Sequence, residues 1–361
     1  MVNFMGKQNL SYHLFLFLST FSRGLVEVFS LVLLSKKGFS LREISLFLFL
    51  TYLVGIFSCF VSIRRNKNLI LIISNICYGV SFLYLSWMSY SYRSLFLLAI
   101  LLSFSNYSYH TIRHYYAFCM LDNKNNTNAI VTMMYLGRVI SSLIGSLLLE
   151  YFSSFFTSVI VLVVSILSCI PIFLYREEKK VPTFSVTYYI WNVRLGKNKF
   201  IFSILEQFKV LFMELQPLFI YLYVKGTYLY IGVFQIIMNL ASLFVVFFLV
   251  RHVSTQRFRY VTIFLGVVLF IKINFRDNLF LFVIALLEGI LVKLYETFSL
   301  KNLYDICNCD IGGYLMKEEF IFLFSKAIVM FFLIVFPFSF KGMLSFCILG
   351  IIASGFFISD K

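Results

Sequence analysis

The stretch SNYSYHTIRHYY, residues 105–116, puts His110, Arg113 and His114 within two turns of one apolar segment. An ionisable group at the centre of a bilayer costs at least about 2.5–3.5 kcal/mol, so it persists only when paired or facing a wet cavity. The same tension recurs at Arg23 and Glu27, at Lys209 and Glu214, and at Glu288, Lys293 and Glu296. Buried carboxylates and imidazoles take up and release protons as desolvation and neighbouring cations shift their balance. The chemistry implied is proton exchange and recognition of a polar or charged solute, with no covalent step.

Spacing refines this. Arg23 and Glu27 are four apart and share a helix face, so they can pair. One reading is a structural ion pair. The other makes Glu27 a protonatable switch, with Arg23 tuning it or holding a substrate anion. Glu214 stands three residues before Pro217, and a proline frees a carbonyl and permits a bend, which places Glu214 beside a hinge. Lys293 can pair with Glu296 at i and i+3, and Glu288 is expected near the same face as Glu296. His110 and His114 have the spacing of half a zinc site. HTIRH, however, lacks the glutamate of H-E-x-x-H and no third ligand is evident, so no metal is expected. They are read instead as a titratable, anion-tolerant wall, with Arg113 in that wall or snorkelling to headgroups.

The elements that must position these groups are transmembrane helices. Of 361 residues 61% are hydrophobic and 13% charged, with a mean hydropathy of +0.91. A soluble chain runs near a quarter charged, so this is an integral membrane protein. The N-terminal stretch lacks a small-residue cleavage site and runs into a full-length span, which is expected to be retained. Seven scattered cysteines give no disulfide framework, and CNC at 307–309 falls short of a four-ligand zinc site.

With about 20 apolar residues per span, spans fall near 11–34, 42–62, 68–88, 94–118, 129–149 and 153–175. Six more fall near 200–224, 228–250, 259–273, 278–300, 315–337 and 341–358. The hydrophilic stretch 176–199 separates two halves, 1–175 and 200–361. Putting the termini inside places 17 Lys and Arg on inner segments against 8 on outer loops. That bias predicts cytoplasmic termini and accounts for the net charge of +15 without a nucleic-acid partner.

An offset of about 187 residues relates the halves. Glu27 falls opposite Glu214, His110 opposite Glu296, and Arg138 in YLGRVISS opposite Lys326 in LFSKAIVM. Such a duplication places two parallel halves about an axis along the membrane normal. Arg138 and Lys326 are expected towards the cytoplasmic side, capping helix ends or holding lipid phosphates, with a gate role second.

KKGFSLREISLFLFL (36–50), YLGRVISSLIGSLLLEYFSS (135–154) and SIRRNKN (62–68) resemble the first outer loop, fifth span and 2–3 loop of the major facilitator superfamily. The resemblance implies an all-α fold of about twelve transmembrane helices in two six-helix halves, with a midplane cavity lined chiefly by spans one, four, seven and ten. It makes Gly137, Arg138 and Gly145 helix-packing positions. The loop keeps Arg64, Arg65 and Lys67, but Ser62 or Ile63 stands where the family has an aspartate of its gate network.

The function expected is a proton-coupled secondary transporter in the plasma membrane. It works by alternating access as a monomer, without a cofactor, and exports a small zwitterionic or amphipathic solute. The altered loop keeps a non-transporting receptor, immunity or assembly factor as the alternative. A carrier of a lipid-linked substrate would need a lateral opening between spans. No nucleotide-binding loop or catalytic constellation is present, which argues against an ATP-driven pump and a membrane enzyme.

Overall fold

The structure is a computed structural model that describes residues 2–64, 66–120, 124–174, 197–224, 226–249, 255–275, 278–306, 311–336 and 339–357. Most of the expected linker, 175–196, lies outside these. The described residues are helical almost throughout, with no strand among them.

The first span has two pieces. Helix α1 (Val2–Gly24) ends in a turn, a 3-10 turn covers Glu27–Phe29, and a short helix, Ser30–Lys36, completes the crossing. Then come α2 (Leu41–Arg64), α3 (Lys67–Trp87), α4 (Tyr92–Met120), α5 (Lys124–Tyr151) and α6 (Ser154–Leu174). The second half holds α7 (Lys197–Tyr223), α8 (Tyr228–Phe244), α9 (Thr255–Asn274), α10 (Asn278–Ile306), α11 (Ile311–Val335) and α12 (Phe340–Ser354). A π-helical turn, Val245–Leu249, extends α8. Six of the described stretches, all in the first half, are long and apolar enough to cross a membrane.

Local sequence sets the helix ends. The first span closes at Gly38, whose φ of 92° suits glycine alone. There Phe39 N donates to Leu34 O and Gly38 N to Ser35 O, the Schellman pattern. Ser40 and Glu43 then form a capping box: Ser40 N donates to Glu43 Oε2 at 2.8 Å and Glu43 N to Ser40 Oγ at 3.3 Å. Asn66, Thr227 and Ser339 cap α3, α8 and α12 in the same way.

Packing repeats six helices on. In the first half α2 packs on α4, α3 on α4 and α6, and α1 on α5 and α6. In the second, α8 packs on α10, α9 on α10 and α12, and α7 on α11 and α12. The halves meet along two seams, α2 with α11 and α5 with α8, which the same sixfold shift exchanges. Two parallel six-helix halves about a pseudo-two-fold axis give this pattern. Gly145 on α5 lies so close to the backbone of Leu25 that a Cβ there would collide with it. The break in the first span is thus wedged against α5.

Candidate functional site

A cavity of about 320 Å³ lies between the halves, large enough for a small solute. Its wall is drawn from the first span and from α2, α3, α4, α5, α7, α8 and α10. Three carboxylates line it, Glu27, Glu214 and Glu296, together with the guanidinium of Arg138. Tyr52, Tyr78, Tyr107 and Tyr135 add ring faces, and Asn106, Gln235 and Asn239 add amides.

The charges differ in how they are held. Glu27 sits on the 3-10 turn that interrupts the first span and is exposed to the cavity. Among the described residues no cation is within ion-pair distance of it, and none of the carboxylates pairs with Arg138. These two charges of the wall have no direct ion-pair partner among the described residues. Glu214 is tied across the halves: Tyr52 Oη on α2 donates to its Oε2, and Lys326 Nζ on α11 donates to its Oε1 at 2.9 Å. Glu296 lies between Lys209 and Lys293, each 3.5 Å away, with Tyr135 Oη from α5 at 3.4 Å. Lys293 also lies 4.7 Å from the centre of the Tyr135 ring.

No protein-family model matches the sequence, and no curated protein matches it. Solved structures do. A point variant of the nucleoside transporter NupG superposes with a TM-score of 0.69 at 12% identity, and NupG itself with 0.65 at 13%. In both cases 97% of each chain is covered. The chain shares the all-helical fold of these transporter structures. Its solved neighbours are transporters, not enzymes, and the apolar helices make it a multi-pass membrane protein.

Within this transporter fold, several ionisable residues lie away from the cavity. Arg23 does not pair with Glu27, because the helix ends between them and their shared face is lost. Arg23 instead turns into the first half. It donates to Asn106 Oδ1 at 2.7 Å, Ser105 O at 3.1 Å and Asn75 Oδ1 at 3.2 Å, between the rings of Tyr78 and Tyr109. His110, Arg113 and His114 lie beyond the cavity wall, nearer the end of α4, whose cavity residues are Leu102, Asn106 and Tyr107. Arg113 Nη2 is 3.3 Å from His114 Nε2, and Tyr109 packs edge-on against His110. No cluster of three metal-ligating side chains occurs among the described residues.

Glu288 does not share the face of Glu296. Eight residues amount to 2.2 turns, which rotates the two by about 80°. Glu288 is wholly buried and pairs with Lys272 on α9 at 2.7 Å, beside Gln216. Lys272 lies in the last turn of α9 and is fully buried. Neither Arg138 nor Lys326 caps a helix end: Arg138 lines the cavity and Lys326 holds Glu214. Lys67 lies over the Tyr115 ring at 4.6 Å and Arg64 ends α2, while the side chain of Arg64 and all of Arg65 fall outside the described residues.

Sequence reasoning missed Tyr52, Tyr135, Lys272, Gln235 and Asn239 as partners or wall residues. Tyrosine is common enough here that no single one stands out. Lys209, singled out from the sequence beside Glu214, pairs instead with Glu296.

Proposed function

We propose that this chain is a secondary transporter of the major facilitator superfamily that moves a small zwitterionic or amphipathic solute by alternating access coupled to protons. The observation that carries the proposal is the polar cavity between the halves, where an unpaired carboxylate and an unpaired guanidinium, Glu27 and Arg138, stand among tyrosine rings. A zwitterion can meet both charges, and an apolar ring can lie on the tyrosines. A nucleoside, the solute in the names of the two NupG structures, has a flat aromatic base that can stack on the tyrosines and hydroxyls for the carboxylates and amides, and it is the first solute to test.

Protonation supplies the coupling. Neutralising Glu214 weakens its hold on both Tyr52 of one half and Lys326 of the other, so a proton there loosens the α2–α11 seam. Glu27 has no ion-pair partner among the described residues, which leaves its carboxylate open to a solute in the cavity. If both termini lie in the cytoplasm, as the charge bias implies, the helix contacts support a state open to the cytoplasm. The end of the first span packs on α7 at the far face, whereas α1 and α7, like α4 and α10, have no comparable contact among the described residues. A monomer in the plasma membrane suffices for this cycle.

Proton flux in liposomes holding the purified protein and a trapped pH dye tests the reading. Pools of nucleosides, amino acids and amphipathic amines are supplied in turn. A solute-dependent pH change lost in Glu27→Gln supports coupled transport, and none from any pool counts against it. Export is the direction the family resemblance implies, and it predicts solute accumulation in inside-out vesicles.

A further inference from the structure

A second cavity, of about 610 Å³, opens at the α2–α11 seam. Its floor is buried and mostly apolar: Ile44 and Ser45 of α2, Leu215 and Leu218 of α7, and Phe340 and Met343 of α12. Its lip is exposed, with Leu41 and Arg42 at the start of α2 facing Val335 and Phe336 at the end of α11. Both lips lie at helix ends, where hydrocarbon gives way to headgroups.

The lip also carries a cation, Arg42. Arg42 is exposed, and no carboxylate among the described residues is within ion-pair distance of it. The adjacent Glu43 is turned away and fully used, accepting from Ser40 N and Oγ and from Tyr90 Oη at 2.6 Å. A basic lip over an apolar trough at the membrane boundary is complementary to a negative headgroup on an acyl chain.

We propose that this groove is a binding site for an anionic phospholipid, its phosphate at Arg42 and its acyl chain along the trough. One wall belongs to each half, so the lipid spans a seam that must shift during a transport cycle. Bound there, it favours the state seen here.

Thermal unfolding of the purified protein in detergent, with added dioleoylphosphatidylglycerol or dioleoylphosphatidylcholine, tests this. Phosphatidylglycerol is expected to raise the midpoint of the natural chain by several degrees more than phosphatidylcholine. In Arg42→Ala and Arg42→Gln that difference disappears, while both variants melt like the natural chain in detergent alone. Ile334→Trp, which fills the trough, loses stabilisation by either lipid. Glycerol phosphate, the headgroup without chains, has no effect. Equal stabilisation by the two lipids, or a phosphatidylglycerol preference that survives in Arg42→Gln, overturns the proposal, as does an equal effect of glycerol phosphate.

Discussion

Glu150, in the last turn of α5, accepts the backbone N–H of Tyr228 at 2.8 Å, so a carboxylate of one half caps the first turn of a helix in the other. Leu229 N reaches the same oxygen at 3.4 Å. Tyr228 also meets Phe29 edge-on, and Lys36 lies 4.0 Å above its ring. These contacts close the face opposite the termini. A carboxylate at a helix N-terminus satisfies free amides and the helix dipole together. Glu150→Ala is therefore expected to move the population towards the opposite opening by roughly fivefold, the equivalent of one helix cap of about 1 kcal/mol. Spin-label distances between the ends of the first span and α8 read the change. An unaltered distribution would show that the cap does not hold the gate.

Glu27 has no cation partner among the described residues, which separates its role in folding from its role in transport. Glu27→Gln keeps the shape and removes a charge that makes no direct ion pair among the described residues, so its melting midpoint should stay within about 2 °C of the natural chain. Solute-driven proton flux should fall at least about tenfold, as expected for a lost proton-carrying group. A large drop in stability with unaltered flux would make Glu27 a structural residue.

Lys272 and Glu288 invert that pattern. Both are wholly buried and lie outside the wall of the central cavity. Removing one partner leaves a buried charge, which typically costs about 3–5 kcal/mol, whereas replacing both with apolar residues is often nearly neutral. Glu288→Gln is expected to lower the melting midpoint strongly, and Lys272→Met combined with Glu288→Leu to restore most of it. The double-mutant cycle yields the coupling energy. Additive losses would show that the pair is not a unit.

The helix count and the sixfold repeat were legible because lipid imposes one rule on every span and duplication repeats its outcome. Glu27 on the first span and Glu214 on α7 both line the cavity, and they could be matched because only rare charges in apolar runs mark a register. What periodicity could not show was the break after Gly24. It rests on the contact between Gly145 and the Leu25 backbone, which lies more than a hundred residues away in sequence. An unbroken helix would have paired Arg23 with Glu27. The histidines misled for a related reason: His110 stands one turn past Asn106, and that turn separates the cavity wall from the helix's far end. Partner choice, such as Lys272 for Glu288, depends on which helix lies next, and spacing along one helix is blind to that.

Arg23 tests whether a buried cation of this fold recognises solute or builds the wall that does. Its guanidinium makes three hydrogen bonds to the polypeptide and lies 4.5 Å and 4.0 Å from the ring centres of Tyr78 and Tyr109. Tyr78 Oη in turn donates to Arg23 O at 2.9 Å, which anchors the end of α1. Only a planar, forked cation fits between two rings while reaching two amide oxygens and a carbonyl. Arg23→Lys keeps the charge yet loses that geometry, so it should destabilise almost as much as Arg23→Ala, by about 2–4 kcal/mol. Solute affinity per folded molecule should stay close to that of the natural chain in Arg23→Lys. If Arg23 instead holds a substrate anion, Arg23→Lys will melt normally and the concentration for half-maximal flux will rise, so the two measurements together assign the residue.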